Sequence, residues 1–207
     1  AGGPFIYVAG ITAQSIDAVS LVKYSSAGVF ITSTTLPGGN TGTSFLGTIN
    51  LDTAGGKIYL GGSAHDTGAQ VSTPAIVQLD TSLRTLATIK LTGAAFWDGN
   101  DVDSLVFSNG YLYAGVRGNQ QGGPMIRKID ASSFITVATG TFSFPGAVCS
   151  FNCGGTRINA LGVDPNSGAV YAVASFDPGG PGNLAALVRF GPNLDGSGTP
   201  LVADITG

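Results

Sequence analysis

The chain has 207 residues, of which only 10% are charged, and a formal net charge of −3; an ordinary globular domain carries about a quarter charged residues. The nine basic residues are scattered and form no run, which excludes a nucleic-acid groove or a polybasic membrane patch. Hydrophobic residues reach 43%, yet no uninterrupted apolar stretch has the roughly 18 residues a bilayer-spanning helix needs.

All 12 acidic residues are aspartates, so acid chemistry must come from a residue type that mostly serves turns. Polar positions are filled by serine, threonine and 33 glycines. No stretch carries an apolar i, i+3, i+4, i+7 stripe across three turns without Gly or Pro, so the elements expected are strands.

The first strand is read in "FIYVAGI", around Tyr7. It is followed by "VSLVKYSSAG" (19 to 28) and "VFITSTTL" (29 to 36), where alternation marks half-buried strands ending in turns. A second unit opens with "SFLGTINLDTAGG" (44 to 56), turns at Gly55-Gly56 into a strand around Tyr59, and continues through "AIVQLDTSLR" (75 to 84) and "TLATIKL" (85 to 91). The third runs from "VDSLVFSNG" (102 to 110) through Tyr113, "MIRKIDASSF" and "FITVATGTF". The fourth runs from "INALGVDPNSG" (158 to 168) through Tyr171, "ALVRFGPNLDG" and "PLVADIT". Asn109-Gly110 and Ser167-Gly168 repeat the hairpin signal, because two-residue turns need positive φ.

The four tyrosines recur at intervals of 52, 54 and 58 residues, a period that belongs to blade or solenoid architectures. In each unit a basic or amide residue (Lys23, Gln78, Lys128, Arg189) precedes a large apolar one (Tyr24, Leu79, Ile129, Phe190). A four-stranded meander repeated at this spacing is what a β-propeller blade requires. Both faces of such a sheet must be covered, which accounts for strands apolar on both sides. Small residues beside the tyrosines, among them Ala9, Gly10, Gly61 and Gly115, suit a place where sheets approach closely.

The segment "IYVAGITAQSIDAVSLVKYSSAG" (6 to 28) resembles the bacterial and archaeal β-propeller repeats of the SBBP kind. Their units pair a "vYvaG" strand with an "a-f-v-a-K-y-d-a-G" strand. The second and third units match the first strand of that pattern, and the fourth matches less closely. The resemblance implies a propeller and no particular activity, because the fold hosts catalysis, binding and scaffolding alike.

The expectation is therefore a single all-β, propeller-like domain over residues 1–207, with units of about 1–43, 44–101, 102–157 and 158–207. With the strand ahead of each tyrosine innermost, the first unit holds three strands and each later one four, fifteen in all. One blade is left incomplete. The ring is then four blades with one short, part of a larger ring, or completed by a neighbouring chain through strand addition.

Candidate sites are few. "AAFWDGNDVD" (94 to 103) sets Trp97 beside Asp98, Asp101 and Asp103. Closely spaced carboxylates on a tight loop suit Ca²⁺, although the spacing is not that of an EF-hand, and the same aspartates can simply cap a turn. Trp97 could stack on a sugar ring or pack on its own sheet. Asn193, Asp195 and Ser197 stand at alternate positions like a reduced calcium hairpin, or a long Gly-rich turn. Cys149 and Cys153 suit a local disulfide, with free thiols as the alternative, and not a metal, for which two further ligands are wanting. His65 and Asp66 are adjacent on a strand and so point to opposite faces, and no G-x-S-x-G elbow occurs. No cofactor motif is found. The reading is a non-enzymatic structural or adhesive protein, extracellular or at the cell surface, self-associating through an incomplete blade or open edge. The alternative is a carbohydrate-binding module built on Trp97.

Overall fold

The computed structural model describes residues 4–11, 19–36, 43–66, 71–91, 101–117, 124–142, 155–177, 184–195 and 201–204. Every regular element among them is a strand. The first sheet is β1 (Phe5–Ile11), β2 (Val19–Ser25) and β3 (Phe30–Leu36). The second is β4 (Thr43–Asp52), β5 (Lys57–Asp66), β6 (Val71–Asp80) and β7 (Thr85–Lys90). The third is β8 (Val102–Ser108), β9 (Tyr111–Val116), β10 (Met125–Asp130) and β11 (Ile135–Thr141). The fourth is β12 (Gly155–Val163), β13 (Val170–Asp177), β14 (Leu184–Phe190) and β15 (Leu201–Asp204).

Each sheet is an antiparallel meander with strands in chain order, so the fifteen-strand reading and its division into three and three fours hold. The fourth sheet starts at Gly155, ahead of position 158, because Gly155, Thr156 and Arg157 already pair with the end of β13.

The register repeats from sheet to sheet. Tyr7 lies opposite Lys23, Tyr59 opposite Gln78, Tyr113 opposite Lys128 and Tyr171 opposite Arg189. Successive strand residues point to opposite faces, and both faces of the middle sheets are used. Ile58, Leu60, Val77 and Leu79 pack with Val19, Leu21 and Leu36 of the first sheet. Tyr59 and Ile76, on the other face, pack with Val102, Leu105, Leu112 and Ala114 of the third. Tyr113 and Ile126 in turn join Ile158, Val170, Ala172 and Val188 of the fourth. Three apolar layers thus alternate with four sheets.

The leading strand β8 packs on β4 and on β12, whereas the last strands β7 and β11 show no comparable packing on each other. The sheets therefore fan out from a common inner line. That arrangement is an all-β, propeller-like fold with three four-stranded blades and one of three strands. The stack is not closed: no apolar layer joins the fourth sheet to the first among the described residues.

Close approach at the inner line is what the small residues serve. A Cβ added to Gly61 would lie 2.6 Å from Val102 Cγ1, and one added to Gly115 would lie 2.7 Å from Ile158 Cγ2. In both cases the second residue past the repeat tyrosine meets the leading strand of the next blade. Gly10 has nothing within 4 Å of such a position, so crowding does not explain that glycine.

Turns follow the expected chemistry at Asn109 (φ 50) and Gly110 (φ 80), both left-handed as a type I′ hairpin demands. They depart from it after the third strand of a blade. There the left-handed residue is Leu83 (φ 66), Phe134 (φ 56) or Leu194 (φ 58), with Gly28 (φ 77) in the first sheet. A left-handed non-glycine costs about 1–2 kcal/mol. Burying a leucine side chain returns about 1.5–3 kcal/mol, and Leu83 and Leu194 are buried in the layers facing the preceding blade. Phe134 does the same against Tyr59, ring centroids 6.4 Å apart.

Candidate functional site

Two polar arrangements are built into this stack. One lies at the rim where β8 begins and β9 ends, next to the register pair Val102 and Val116. The Arg117 amide donates to the Asp101 carbonyl at 3.0 Å, extending the ladder by one rung. The Arg117 guanidinium then reaches both neighbouring carboxylates. Its Nη2 lies 2.8 Å from Asp103 Oδ1 and its Nε 3.4 Å from Oδ2, a two-pronged grip, while Nη1 lies 3.4 Å from Asp101 Oδ2.

Asp101 is buried and also accepts a hydrogen bond from the Ser63 hydroxyl of the second blade. Burial pushes its carboxyl above the usual carboxylate range; Ser63 and Arg117 pull it down without overcoming that. Burial opposes the Arg117 charge, but the Asp103 hydrogen bond and the two carboxylates outweigh it and hold the guanidinium more firmly protonated. Chemically the group is an ion triad within the third blade, joined to the second by the Ser63 hydrogen bond. Asp101 and Asp103 do come together, as their spacing suggests, around a guanidinium. Among the described residues no group of three or more His, Cys, Asp or Glu converges. Arg117 was the residue the sequence reading passed over; its signal was a cation on the strand partnering two aspartates at i and i+2.

The second arrangement recurs three times. Lys23 Nζ crosses to the second blade and donates to the Thr81 carbonyl at 2.7 Å. Gln78 Nε2 crosses to the third and donates to the Ala131 carbonyl at 3.5 Å. Lys128 Nζ crosses to the fourth and donates to the Pro192 carbonyl at 2.8 Å. In each case the donor is the cross-strand partner of the repeat tyrosine, and the acceptor is the same residue of the following blade's third turn. The donors also sit against aromatic rings: Lys23 is 3.9 Å from the Phe5 centroid, Lys128 is 4.2 Å from that of Tyr111, and Gln78 lies 3.3 Å from the Tyr59 hydroxyl. Burial in these layers raises the phenol pKa of Tyr7, Tyr59 and Tyr113. The basic-then-apolar signature of the sequence is therefore a latch between blades.

The other candidate residues are not brought into these groups. Trp97, Asp98, Cys149, Cys153 and Ser197 lie outside the described residues. Of the His65 and Asp66 pair only the backbone is described, opposite Ser72 and Val71. Asn193 and Asp195 are exposed on the turn that holds Leu194 left-handed.

No family model matches the chain, and no curated protein matches it. Similar solved structures include "Crystal structure of the eukaryotic initiation factor", at 11% identity and a TM-score of 0.46, covering 98% of this chain and 43% of that one. Another is "Structure of U3-55K", at 12% identity and a TM-score of 0.44, covering 91% of this chain and 61% of that one. The chain thus spans less than two thirds of the length of each of these two.

Proposed function

We propose that this chain is a non-enzymatic structural or adhesive module that assembles with further copies of itself, outside the cell or at its surface. One contrast between equivalent positions carries the reading. Ile6 and Val8 of β1 are 47% and 51% exposed, whereas their counterparts Ile58 and Leu60 of β5 are each 1% exposed. Beside them, among the described residues, β1 has a strand neighbour on one side, β2, whereas β5, β9 and β13 are paired on both.

An open edge next to an uncovered apolar face is a template for another strand. The low charge supports the reading, since little electrostatic repulsion opposes contact between copies. A surface wetted by hydroxyls and amides supports the exterior location.

Sedimentation velocity across a concentration series tests the assembly. The wild-type mass should rise with concentration, and the double variant Ile6→Lys, Val8→Lys should stay monomeric with an unchanged circular-dichroism spectrum. A wild-type chain that is monomeric at its highest soluble concentration refutes the proposal. The location is tested by brief protease treatment of intact source cells, which should release peptides of this chain.

A further inference from the structure

Resting on that reading, we propose that the outward face of the fourth sheet docks head to tail on the outward face of the first sheet of a second copy. The interface would repeat the one already used three times inside the chain, with the Arg189 guanidinium donating to the Ser26 carbonyl.

The internal blade contacts define two unlike faces. A trailing face presents the repeat tyrosine, the residue two further on, and the latch donor. A leading face presents the residues flanking the tyrosine and the turn carbonyl that the latch reaches. In the second blade the leading face is Ile58 and Leu60 with Thr81, and the trailing face is Tyr59, Gly61 and Gln78. One face of each kind is left uncovered among the described residues. The fourth sheet exposes a trailing face of Tyr171, Val173, Leu187 and Arg189, with Val173 and Leu187 each 44% exposed. Its leading face, Val170 and Ala172, is already buried on the third blade. The first sheet leaves uncovered a leading face of exposed Ile6 and Val8 with half-buried Val22 and Tyr24, cross-strand partners in two pairs. Its trailing face, Tyr7 and Ala9, is packed against the second blade.

Three details fit these two surfaces to each other. Arg189 stands opposite Tyr171 as Lys23, Gln78 and Lys128 stand opposite their tyrosines, yet it is exposed and donates no hydrogen bond among the described residues. Ser26 occupies the turn position of Thr81, Ala131 and Pro192, and no latch reaches its carbonyl. Finally, the residue two past the tyrosine is glycine at 61 and 115, where the leading strand of the next blade crowds it. In the fourth blade it is Val173. A valine there would crowd a leading strand, and among the described residues the first sheet has none. The larger side chain would fill the space such a strand occupies elsewhere. The occupant argued for is therefore a second copy of this chain, whose first sheet has the matching shape, polarity and gap.

A head-to-tail contact uses two different patches, and either closes into a ring or grows into a filament. That asymmetry allows a complementation test by sedimentation velocity. Leu187→Asp spoils the trailing face and Ile6→Asp spoils the leading face, both at exposed positions. Each variant alone should be monomeric. Mixed, they should form a one-to-one complex and nothing larger, because one good face of each kind remains. Arg189→Gln should weaken wild-type association about tenfold or more.

If wild type associates but the two variants do not complement, the head-to-tail arrangement is wrong while self-assembly stands. If wild type does not associate at all, both proposals fall together.

Discussion

Replacing Gly61 by alanine tests whether successive units really stack face to face about an inner line. The new methyl group would lie 2.6 Å from Val102 Cγ1 and 2.8 Å from Thr48 Cγ2, about an ångström inside the 3.5–4.0 Å of ordinary carbon contacts. Val102 is fully buried in the leading strand of the third blade and cannot turn away. Overpacking of this kind costs about 1–3 kcal/mol. For a chain of this size each kcal/mol moves Tm by about 2–4 °C, so a drop of about 4–8 °C is expected at the middle of that range.

The assay is thermal and urea unfolding followed by circular dichroism, with two companions. Gly10→Ala, where nothing lies within 4 Å, should be neutral or stabilise by about 0.4–1 kcal/mol through the unfolded state. Val102→Ala should cost about 1.5–3 kcal/mol alone, yet combined with Gly61→Ala it should recover at least about 1 kcal/mol relative to the sum. A Gly61→Ala protein as stable as the Gly10→Ala control, or strict additivity with Val102→Ala, would refute the stacking argument.

Arg117→Met strips the counter-charge from Asp101 and Asp103 and should cost about 3–5 kcal/mol at neutral pH. Urea titrations should show the deficit shrinking as the pH falls and Asp101, whose carboxyl burial already pushes up, takes up a proton; a pH-independent deficit would rule out an ionic role. Hydrogen bonds from neighbouring serines hold the Asp130 carboxyl at about 2. The Asp164 and Asp80 carboxyls are lowered as well, the first mainly by the Ser167 hydroxyl and the second by the Arg84 amide. The unfolded chain therefore protonates first as the pH falls, so the stability these three give is present above the ordinary carboxylate range and lost below it, for Asp130 as the pH falls through about 2. Asp130→Asn should flatten that part of the stability profile, and an unchanged slope would contradict the assignment.

Lys128→Met leaves the Pro192 carbonyl without its donor and should cost about 1–2 kcal/mol. Adding Lys23→Met should be additive, because the two latches sit in different interfaces; strong coupling in the double variant would argue against separate latches. Leu83→Gly relieves about 1–2 kcal/mol of backbone strain but loses about 1.5–3 kcal/mol of burial. A net destabilisation of up to about 1–2 kcal/mol by chemical denaturation is expected, and a stabilised variant would show that the turn plug is not worth its strain.

The number of strands, their division and their order were legible in residues alone, because each blade is local. Alternation, the tyrosine spacing and the Asn109-Gly110 signal all act between neighbours in the chain, and a meander needs nothing more. The latch residues were visible as a recurring pair, but their purpose was not. Lys23 meets Thr81 and Lys128 meets Pro192 across 58 and 64 residues, and only the stacking of one sheet on the next brings such partners within reach. The same holds for Arg117, which reaches Asp101 and Asp103 only because β9 is laid beside β8.

The buried leucines in left-handed turns ran against local preference for the same reason. A turn by itself asks for glycine at that position, and only the apolar layer of the preceding blade repays a leucine there. Local pattern thus determined what the blades are. How neighbours press on one another, which is a matter of three-dimensional proximity and desolvation, decided what their side chains do and which two faces remain uncovered.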